Sequence, residues 1–320
     1  MQNSRSIASG HYPRIRIRDG ERLLWNPLKK QTFRQRPEER VRLQITDFLI
    51  LQSHIPAARI TTEAPVPSRH SRGRTDILCY DSGFEPWLLV ECKADSIKLS
   101  HKTALQSAHY NRFLQAPYIM LTNGNRDVLF DMSSQPVSLN PADYPLEIRP
   151  AAPFHSRDPK YWTDRGFLPA NMETGAAKSL SALLCSLFHE SAETCSYLAL
   201  SLPHENIPYG HFYLLTHAPH YPDTLLALTI LAVDHDQAIM VAAANRHSKN
   251  TGFLKITIDR NGSFQSPELI ITENDNIITP DISYIEQICL DPASFETDET
   301  SEDLTATLAL MLEKIFIYKL

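Results

Sequence analysis

The pattern of apolar and polar positions in the first 140 residues predicts helices and strands that alternate along the chain. Residues 37–52 ("PEERVRLQITDFLILQ") carry Val41, Ile45 and Phe48 at helical spacing, and Pro37 favours a helix start. The segments "TDILCY" (75–80) and "WLLVECK" (87–93) are short apolar runs typical of strands, with a Gly- and Pro-containing turn between them.

A second helix is predicted after Ser100, a residue suited to a helix N-cap, over "HKTALQSAHYNRFLQ". Two further strands are predicted in "PYIMLTN" (117–123) and "DVLFDM" (127–132). The order helix, strand, strand, helix, strand, strand predicts an α/β fold with a mixed sheet flanked by helices.

Proline-rich sequence then indicates a domain junction. We predict a first domain over residues 1–140 that contains a basic N-terminal hairpin, a Pro-rich linker over 141–165 and a second, α+β domain over 166–320. A helix near 174–190, a series of apolar strands and a C-terminal helix are expected in the second domain. Its role stays open between nucleic-acid binding, ligand sensing and a dimer interface, and the oligomeric state is open as well.

Composition narrows the class of protein. The chain is 42% hydrophobic and 21% charged, as in globular proteins, and its net charge of −6 gives no whole-chain signature of nucleic-acid binding. Basic residues are concentrated in residues 1–42 and acidic ones in 273–303. No apolar run approaches 18 residues and the five cysteines form no CxxC pair, which predicts a cytoplasmic protein without membrane or zinc.

Charged residues at the end of the strand "WLLVECK" need an explanation, because buried charge is costly. Side chains alternate along a strand, so Glu91 and Lys93 share one face. If the strand pairs with "TDILCY" as a hairpin that sets Asp81 opposite Pro86, the residue numbers of each pair sum to 167 and Asp76 lies opposite Glu91. A slip of one residue would separate the two carboxylates.

Two carboxylates that face each other repel, and a divalent cation between them reverses the sign of the interaction. Oxygen ligands suit Mg²⁺ or Mn²⁺, and the Lys93 ammonium could act on a water molecule or on a phosphate. This arrangement suits metal-assisted hydrolysis of a phosphodiester. The alternative is an edge-strand salt bridge between Glu91 and Lys93 that contributes little.

The sequence "RTDILCYD…PWLLVECKA" resembles the core of the PD-(D/E)xK nuclease superfamily, and more closely the domain at the N-terminus of type I restriction enzyme R subunits. The resemblance extends over roughly residues 24–130. It implies that Asp76 and Glu91 bind the metal together with the backbone carbonyl of Cys92, and that Lys93 serves the water nucleophile.

Further site residues follow from this resemblance. The first helix of the family often offers an acidic residue to the metal; Glu38 is preferred and Glu39 is the alternative, although both could simply favour the helix N-terminus. Gln106 and Tyr110 resemble the QxxxY motif of some of these nucleases, which implies that Gln106 supports catalysis and Tyr110 meets nucleic acid.

Arg74 and Lys98 flank the motif and are candidates for phosphate contact.

The function expected from these observations is metal-dependent hydrolysis of DNA, by an endonuclease or an exonuclease, in restriction, defence or repair. The chain contains no G-x-x-x-x-G-K-[ST] phosphate loop, so a separate targeting or motor subunit is a candidate partner. One alternative is a non-catalytic nucleic-acid-binding or regulatory subunit on a nuclease fold. Another is a structural protein in which Asp76 and Glu91 lie far apart.

Overall fold

The computed structural model describes residues 4–65, 74–133, 137–149, 157–188, 195–202, 208–273, 276–278 and 301–317. The chain forms two compact units. The first comprises Met1–Arg14 and Leu23–His155, and the second Ile15–Arg22 and Ser156–Leu320. The later unit therefore includes a short segment from the N-terminal region.

The first part of the chain contains ten strands and two α-helices among its described residues. In chain order they are β1 (Ser4–Arg5), β2 (Arg14–Arg18), β3 (Glu21–Asn26), β4 (Gln31–Phe33), α1 (Pro37–Leu51), β5 (Ile60–Thr62), β6 (Ile77–Tyr80), β7 (Pro86–Cys92), α2 (His101–Leu114), β8 (Tyr118–Thr122), β9 (Arg126–Asp131) and β10 (Val137–Ser138).

The central sheet has the strand order β1-β9-β8-β7-β6-β5, with β10 beside β9. Strands β7 and β8 are parallel and joined through α2, whereas the neighbouring pairs are antiparallel. The predicted mixed α/β sheet is therefore confirmed.

The two faces of this sheet carry different apolar cores, as the alternation along β7 requires. Leu88 and Val90 pack with Ile45 and Phe48 of α1. Leu89 points to the opposite face and packs in a cluster that includes residues of α2. One helix thus covers each face of the strand that carries the candidate site.

Both helices begin and end close to the predicted positions. Helix α1 runs for 15 residues from Pro37. Helix α2 begins after Ser100, whose hydroxyl accepts a hydrogen bond from the Thr103 amide. The α2 C-terminus is closed by Gln115 in the left-handed conformation, at φ 57°.

The N-terminal segment of the first unit is anchored by buried polar contacts. The imidazole of His11 is fully buried and lies 3.2 Å from an oxygen of Asp47 and 2.8 Å from the amide oxygen of Gln52. The Asp127 carboxylate accepts a hydrogen bond of 2.7 Å from the Ile7 backbone amide. These contacts hold residues 6–12 against α1 and β9.

The second unit consists of a large antiparallel sheet with three helices, which agrees with the predicted α+β class. Its strands pair in sequence order from β11 to β17. The elements are α3 (Pro159–Asp164), α4 (Thr174–Leu187), β11 (Cys195–Leu200), β12 (Tyr209–Ala218), β13 (Tyr221–Ala232), β14 (Ala238–Arg246), β15 (Lys249–Ile258), β16 (Phe264–Glu273), β17 (Asn276–Ile278) and α5 (Ser301–Ile317).

The C-terminal part of the predicted linker 141–165 is helical. Helix α3 lies within it, and the Trp162 side chain of this helix is fully buried. Residues 150–156 of the linker lie outside the described residues, as does most of the acidic stretch 273–303. Among the described helices, none combines the length and apolarity needed to cross a membrane.

Candidate functional site

Strands β6 and β7 pair in the register that the sequence predicts. The residue numbers of three successive pairs sum to 167, and the next pair in the same register is Asp76 with Glu91. The strands depart from this register only at the turn, where Tyr80 rather than Asp81 lies opposite Pro86. The predicted anchor at Asp81 was therefore wrong, but the register beside the candidate site is confirmed for the pairs Ile77–Val90, Leu78–Leu89 and Cys79–Leu88.

Both oxygens of the Asp76 carboxylate are engaged. Oδ2 accepts a hydrogen bond of 2.8 Å from the backbone N–H of Cys92, and Oδ1 accepts one of 2.7 Å from the guanidinium of Arg42. The backbone of β7 therefore orients the aspartate that precedes β6.

Glu91 is almost completely buried, with 4% of its surface exposed. Its Oε1 accepts a hydrogen bond of 2.6 Å from the Lys93 ammonium. Burial raises the pKa of Glu91, and the nearby charge of Asp76 raises it further, against the opposing effect of Lys93. Asp76 is held at the same strand end, because its carboxylate accepts a hydrogen bond from the amide of Cys92, the residue after Glu91.

Lys93 stays protonated in this environment. Burial lowers the pKa of Lys93, but the hydrogen bond to Glu91 and the charges of Glu91, Asp76 and Glu38 outweigh that effect, so the pKa is raised. The Lys93 side chain is an ammonium donor rather than a proton acceptor at neutral pH.

Arg42 of α1 is a central cation that the sequence interpretation missed. Its side chain is 10% exposed and contacts Asp76 and Glu39, with Glu63 Oε1 at 3.6 Å. Burial lowers the pKa of Arg42, but the charge of Asp76 and then that of Glu39 outweigh burial and raise it. The sequence did contain a signal for this cation. It is an arginine three residues after Glu39, in a part of the helix where the adjacent residues are largely apolar.

The two glutamates of the first turn of α1 take different places. Glu38 is exposed, yet its charge raises the pKa of both Glu91 and Lys93, so it lies within electrostatic reach of the pair. Glu39, the alternative candidate, has a side chain that is only 12% exposed and is paired with Arg42. The reason is that α1 is buried on more than one face.

The remaining predicted site residues differ in how far they are buried. The Cys92 backbone contributes its N–H to Asp76, while the role predicted for its carbonyl stays a prediction. Gln106 is on the exposed side of α2. Tyr110 packs against the apolar cluster that includes Leu89, so part of its side chain contributes to the core.

The two flanking cations are both exposed. Arg74 forms an isolated bridge with Pro65, and its charge lowers the pKa of Glu63. Lys98 lines a cavity after β7. Their predicted contacts with phosphate stay predictions.

Metal ligation by Asp76 and Glu91 stays a prediction. Within the described part of the chain, no group of three or more His, Cys, Asp and Glu side chains is arranged to hold a metal ion. Mg²⁺ needs only one or two protein carboxylates when water and phosphate complete its ligands.

Comparison with known families places this geometry in context. Residues 37–143 match the sequence model of the family described as type I restriction enzyme R protein N terminus (HSDR_N). This part of the chain is therefore similar to that family. The family is a PD-(D/E)xK-like nuclease domain, which confirms the resemblance carried by Asp76, Glu91 and Lys93.

The match to the HSDR_N family begins at the first residue of α1 and ends before Ser156, where the main part of the second unit starts. No curated protein and no solved structure matches the chain. The match therefore lies within the first unit and indicates a nuclease-type domain there.

Proposed function

We propose that this protein is a Mg²⁺- or Mn²⁺-dependent nuclease that hydrolyses phosphodiester bonds of DNA. The observation that carries the proposal is the cluster at the end of β7. There the Asp76 carboxylate accepts a hydrogen bond from the Cys92 amide, and the Lys93 ammonium lies 2.6 Å from Glu91. The match to the HSDR_N family over β6 and β7 supports a nuclease rather than another phosphate-handling enzyme.

Asp76 and Glu91 would hold the divalent cation, with the Cys92 carbonyl as a further oxygen donor. When bound, such an ion polarises the scissile phosphate and makes its water ligand more acidic. The mutual repulsion that raises the pKa of Glu91 is the cost that a cation between the carboxylates would remove.

The side chains of the protein perform the rest of the chemistry. Lys93 donates hydrogen bonds to the attacking water or to a phosphate oxygen, and its positive charge stabilises the extra negative charge of the transition state. The Cys92 amide and the Arg42 guanidinium hold the Asp76 carboxylate in a fixed orientation. Gln106 is proposed to contact the substrate from α2.

Incubation of the wild-type protein with supercoiled, linear and single-stranded DNA, with and without Mg²⁺, tests this function. We expect cleavage only with the metal, and none by the Asp76→Ala variant. Nicking of the supercoiled circle would identify an endonuclease, and digestion of linear DNA alone an exonuclease. Absence of cleavage of all three substrates with both Mg²⁺ and Mn²⁺ would contradict the proposal.

A second candidate is a non-catalytic nucleic-acid-binding or regulatory subunit. It is favoured by the Asp76 carboxylate, both oxygens of which are already satisfied by Arg42 and Cys92. Calorimetric titration with Mn²⁺ separates the two functions. Heat of binding that is abolished in Asp76→Asn supports the nuclease, whereas no binding, even with DNA present, supports the regulatory subunit.

A further inference from the structure

A cavity of about 550 Å³ opens in the first unit beyond the ends of β7 and β8. One wall is formed by residues 95–99, which follow β7, and the other by residues of the turn 123–126, which follows β8. None of the observations behind the proposed metal site assigns a role to this cavity.

The cavity lies beside the candidate site because β7 and β8 are parallel. The Lys93 amide donates a hydrogen bond of 2.8 Å to the Thr122 carbonyl, and the two cavity walls start immediately after these residues. Ligands of α/β sheets bind outside the carboxyl ends of parallel strands, which is where this cavity opens.

The charge of the cavity is positive. Lys98 and Arg126 are exposed on opposite walls. The carboxylate that lines the cavity, Asp95, is paired at 2.8 Å with the buried guanidinium of Arg40. The two exposed cations on the cavity walls therefore suit an anionic ligand.

The walls are held together by the Asn123 side chain, of which 7% is exposed. Its oxygen accepts hydrogen bonds from the backbone amides of Asn125 and Arg126, at 3.1 and 2.9 Å. Its amide nitrogen donates to the Ile97 carbonyl of the other wall at 2.9 Å. The cavity is therefore formed before any ligand arrives, which lowers the entropic cost of binding.

Apolar surface lies among the polar groups. Ile97 is 47% exposed and Leu99 is half-buried, and both line the cavity. Phosphate gains nothing from such side chains, whereas the face of a nucleobase does. A cavity of about 550 Å³ also has room for a whole nucleotide rather than for a phosphate group alone.

We propose that this cavity binds one unpaired nucleotide of a DNA strand, with its phosphate on Lys98 and Arg126 and its base against Ile97 and Leu99. The inference rests on the proposed nuclease function, because it identifies the part of the substrate that lies beside the scissile phosphate. An unpaired base is required, since a base within a duplex could not enter.

The test is the binding of a fluorescein-labelled single-stranded oligonucleotide in EDTA, followed by fluorescence anisotropy over a range of salt concentrations. The charge-removing variant is Lys98→Gln/Arg126→Gln. The matched control is Arg112→Gln/Lys178→Gln, which removes the same charge from exposed positions at the far end of α2 and on α4. Thermal melting verifies that both variants are folded.

We expect the first variant to bind at least tenfold more weakly and the control to bind within about twofold of wild type. The magnitude of the slope of log K for binding against log salt concentration should decrease by about 0.7 for each phosphate that the variant no longer neutralises. Unchanged binding by the Lys98→Gln/Arg126→Gln variant, or no binding by the wild type, overturns the proposal.

Two further ligands test whether the cavity binds a base as well as a phosphate. An oligonucleotide of abasic sites and a blunt duplex should both bind more weakly than the single strand, and equal binding of the abasic strand overturns the nucleotide assignment. Failure of the nuclease function is distinguishable, because the binding assay contains no metal. If the wild type binds DNA but never cleaves it, only the nuclease function is contradicted. If the wild type cleaves DNA while the Lys98→Gln/Arg126→Gln variant binds normally, only the cavity proposal is contradicted.

Discussion

Arg42 balances the charges of the candidate site at the scale of single residues. It is buried between Asp76 and Glu39 and neutralises carboxylates that would otherwise repel. Arg42→Met should lower the free energy of unfolding by about 3 kcal/mol, because it leaves buried carboxylates without their partner. Urea denaturation measures this change.

Two control variants make the Arg42 result specific. Arg42→Met/Asp76→Asn should regain a large part of this stability, since one uncompensated charge is removed with its partner. Arg112→Met, at an exposed position of α2, should change the free energy of unfolding by less than about 0.5 kcal/mol. Equal destabilisation of the single and double variants would contradict the role of Arg42.

Asp127 couples stability to pH. Burial raises the pKa of this carboxyl from 3.8 to about 6, against hydrogen bonds from Thr122, Ile7 and Ser6. Because the folded-state pKa exceeds the unfolded one, its stabilising contribution is complete below about pH 4 and is lost as the pH rises through 6. The full change corresponds to about 3 kcal/mol.

The Asp127→Asn variant tests this coupling, because its amide does not titrate. The free energy of unfolding of the wild type should fall relative to that of the variant between pH 4 and pH 7, measured by urea denaturation at each pH. Parallel stability curves for the two proteins would show that Asp127 is not the responsible group.

The catalytic candidates could be predicted from the sequence, but the residues that surround them could not. Asp76, Glu91 and Lys93 follow from alternation along two strands and from one hairpin register, which are local rules. Arg42 and Asp127 depend on how α1 and the N-terminal segment pack against the sheet. Such contacts connect residues far apart in the sequence, so no periodicity reveals them.

At the scale of elements, the C-terminus of α2 contains a strained residue. Gln115 is exposed and adopts φ 57°, a conformation that costs an L-residue about 1 kcal/mol and costs glycine nothing. Gln115→Gly should therefore raise the free energy of unfolding by about 0.5–1 kcal/mol, as measured by thermal or urea denaturation.

Glycine within the same helix provides the opposite control. Leu105→Gly, at a largely exposed interior position of α2, should lower the free energy of unfolding by about 1 kcal/mol. If both glycine variants were destabilised, the left-handed cap at Gln115 would be contradicted.

The longer elements were predictable because burial leaves a clear period in the sequence. Helices α1 and α2 and strands β6 to β9 were expected within a few residues of their observed bounds. The short strands β1, β5 and β10 were not, because two or three residues carry no period and their pairing is set by partners distant in the chain.

At the scale of the whole molecule, residues 15–22 belong to the second unit although they precede α1. Arg22 explains this, since its buried guanidinium donates to the carbonyls of Gly166 and Ala232 and contacts His211. Burial lowers the pKa of Arg22 to about 10. No linear composition shift marks such a segment, and the predicted boundaries could not include it.

Arg22→Met should lower the free energy of unfolding of the second unit by about 3 kcal/mol, because two buried carbonyls lose a charged donor. Tryptophan fluorescence during urea denaturation measures the transition, in a Trp25→Phe/Trp87→Phe background that leaves Trp162 as the remaining tryptophan. Arg16→Met is the control from the same segment, and it should cost less than about 1 kcal/mol because its ion pair with Asp164 is partly exposed. Equal effects of the two variants would contradict the assignment.

The central claim is that Asp76, Glu91 and Lys93 form the reactive centre of a metal-dependent nuclease. The most direct measurement is the rate of Mg²⁺-dependent DNA cleavage by Lys93→Ala, compared with wild type and with the exposed-lysine control Lys178→Ala. We predict a loss of at least about 100-fold for Lys93→Ala and an unchanged rate for the control. Cleavage by Lys93→Ala at the wild-type rate would contradict the account.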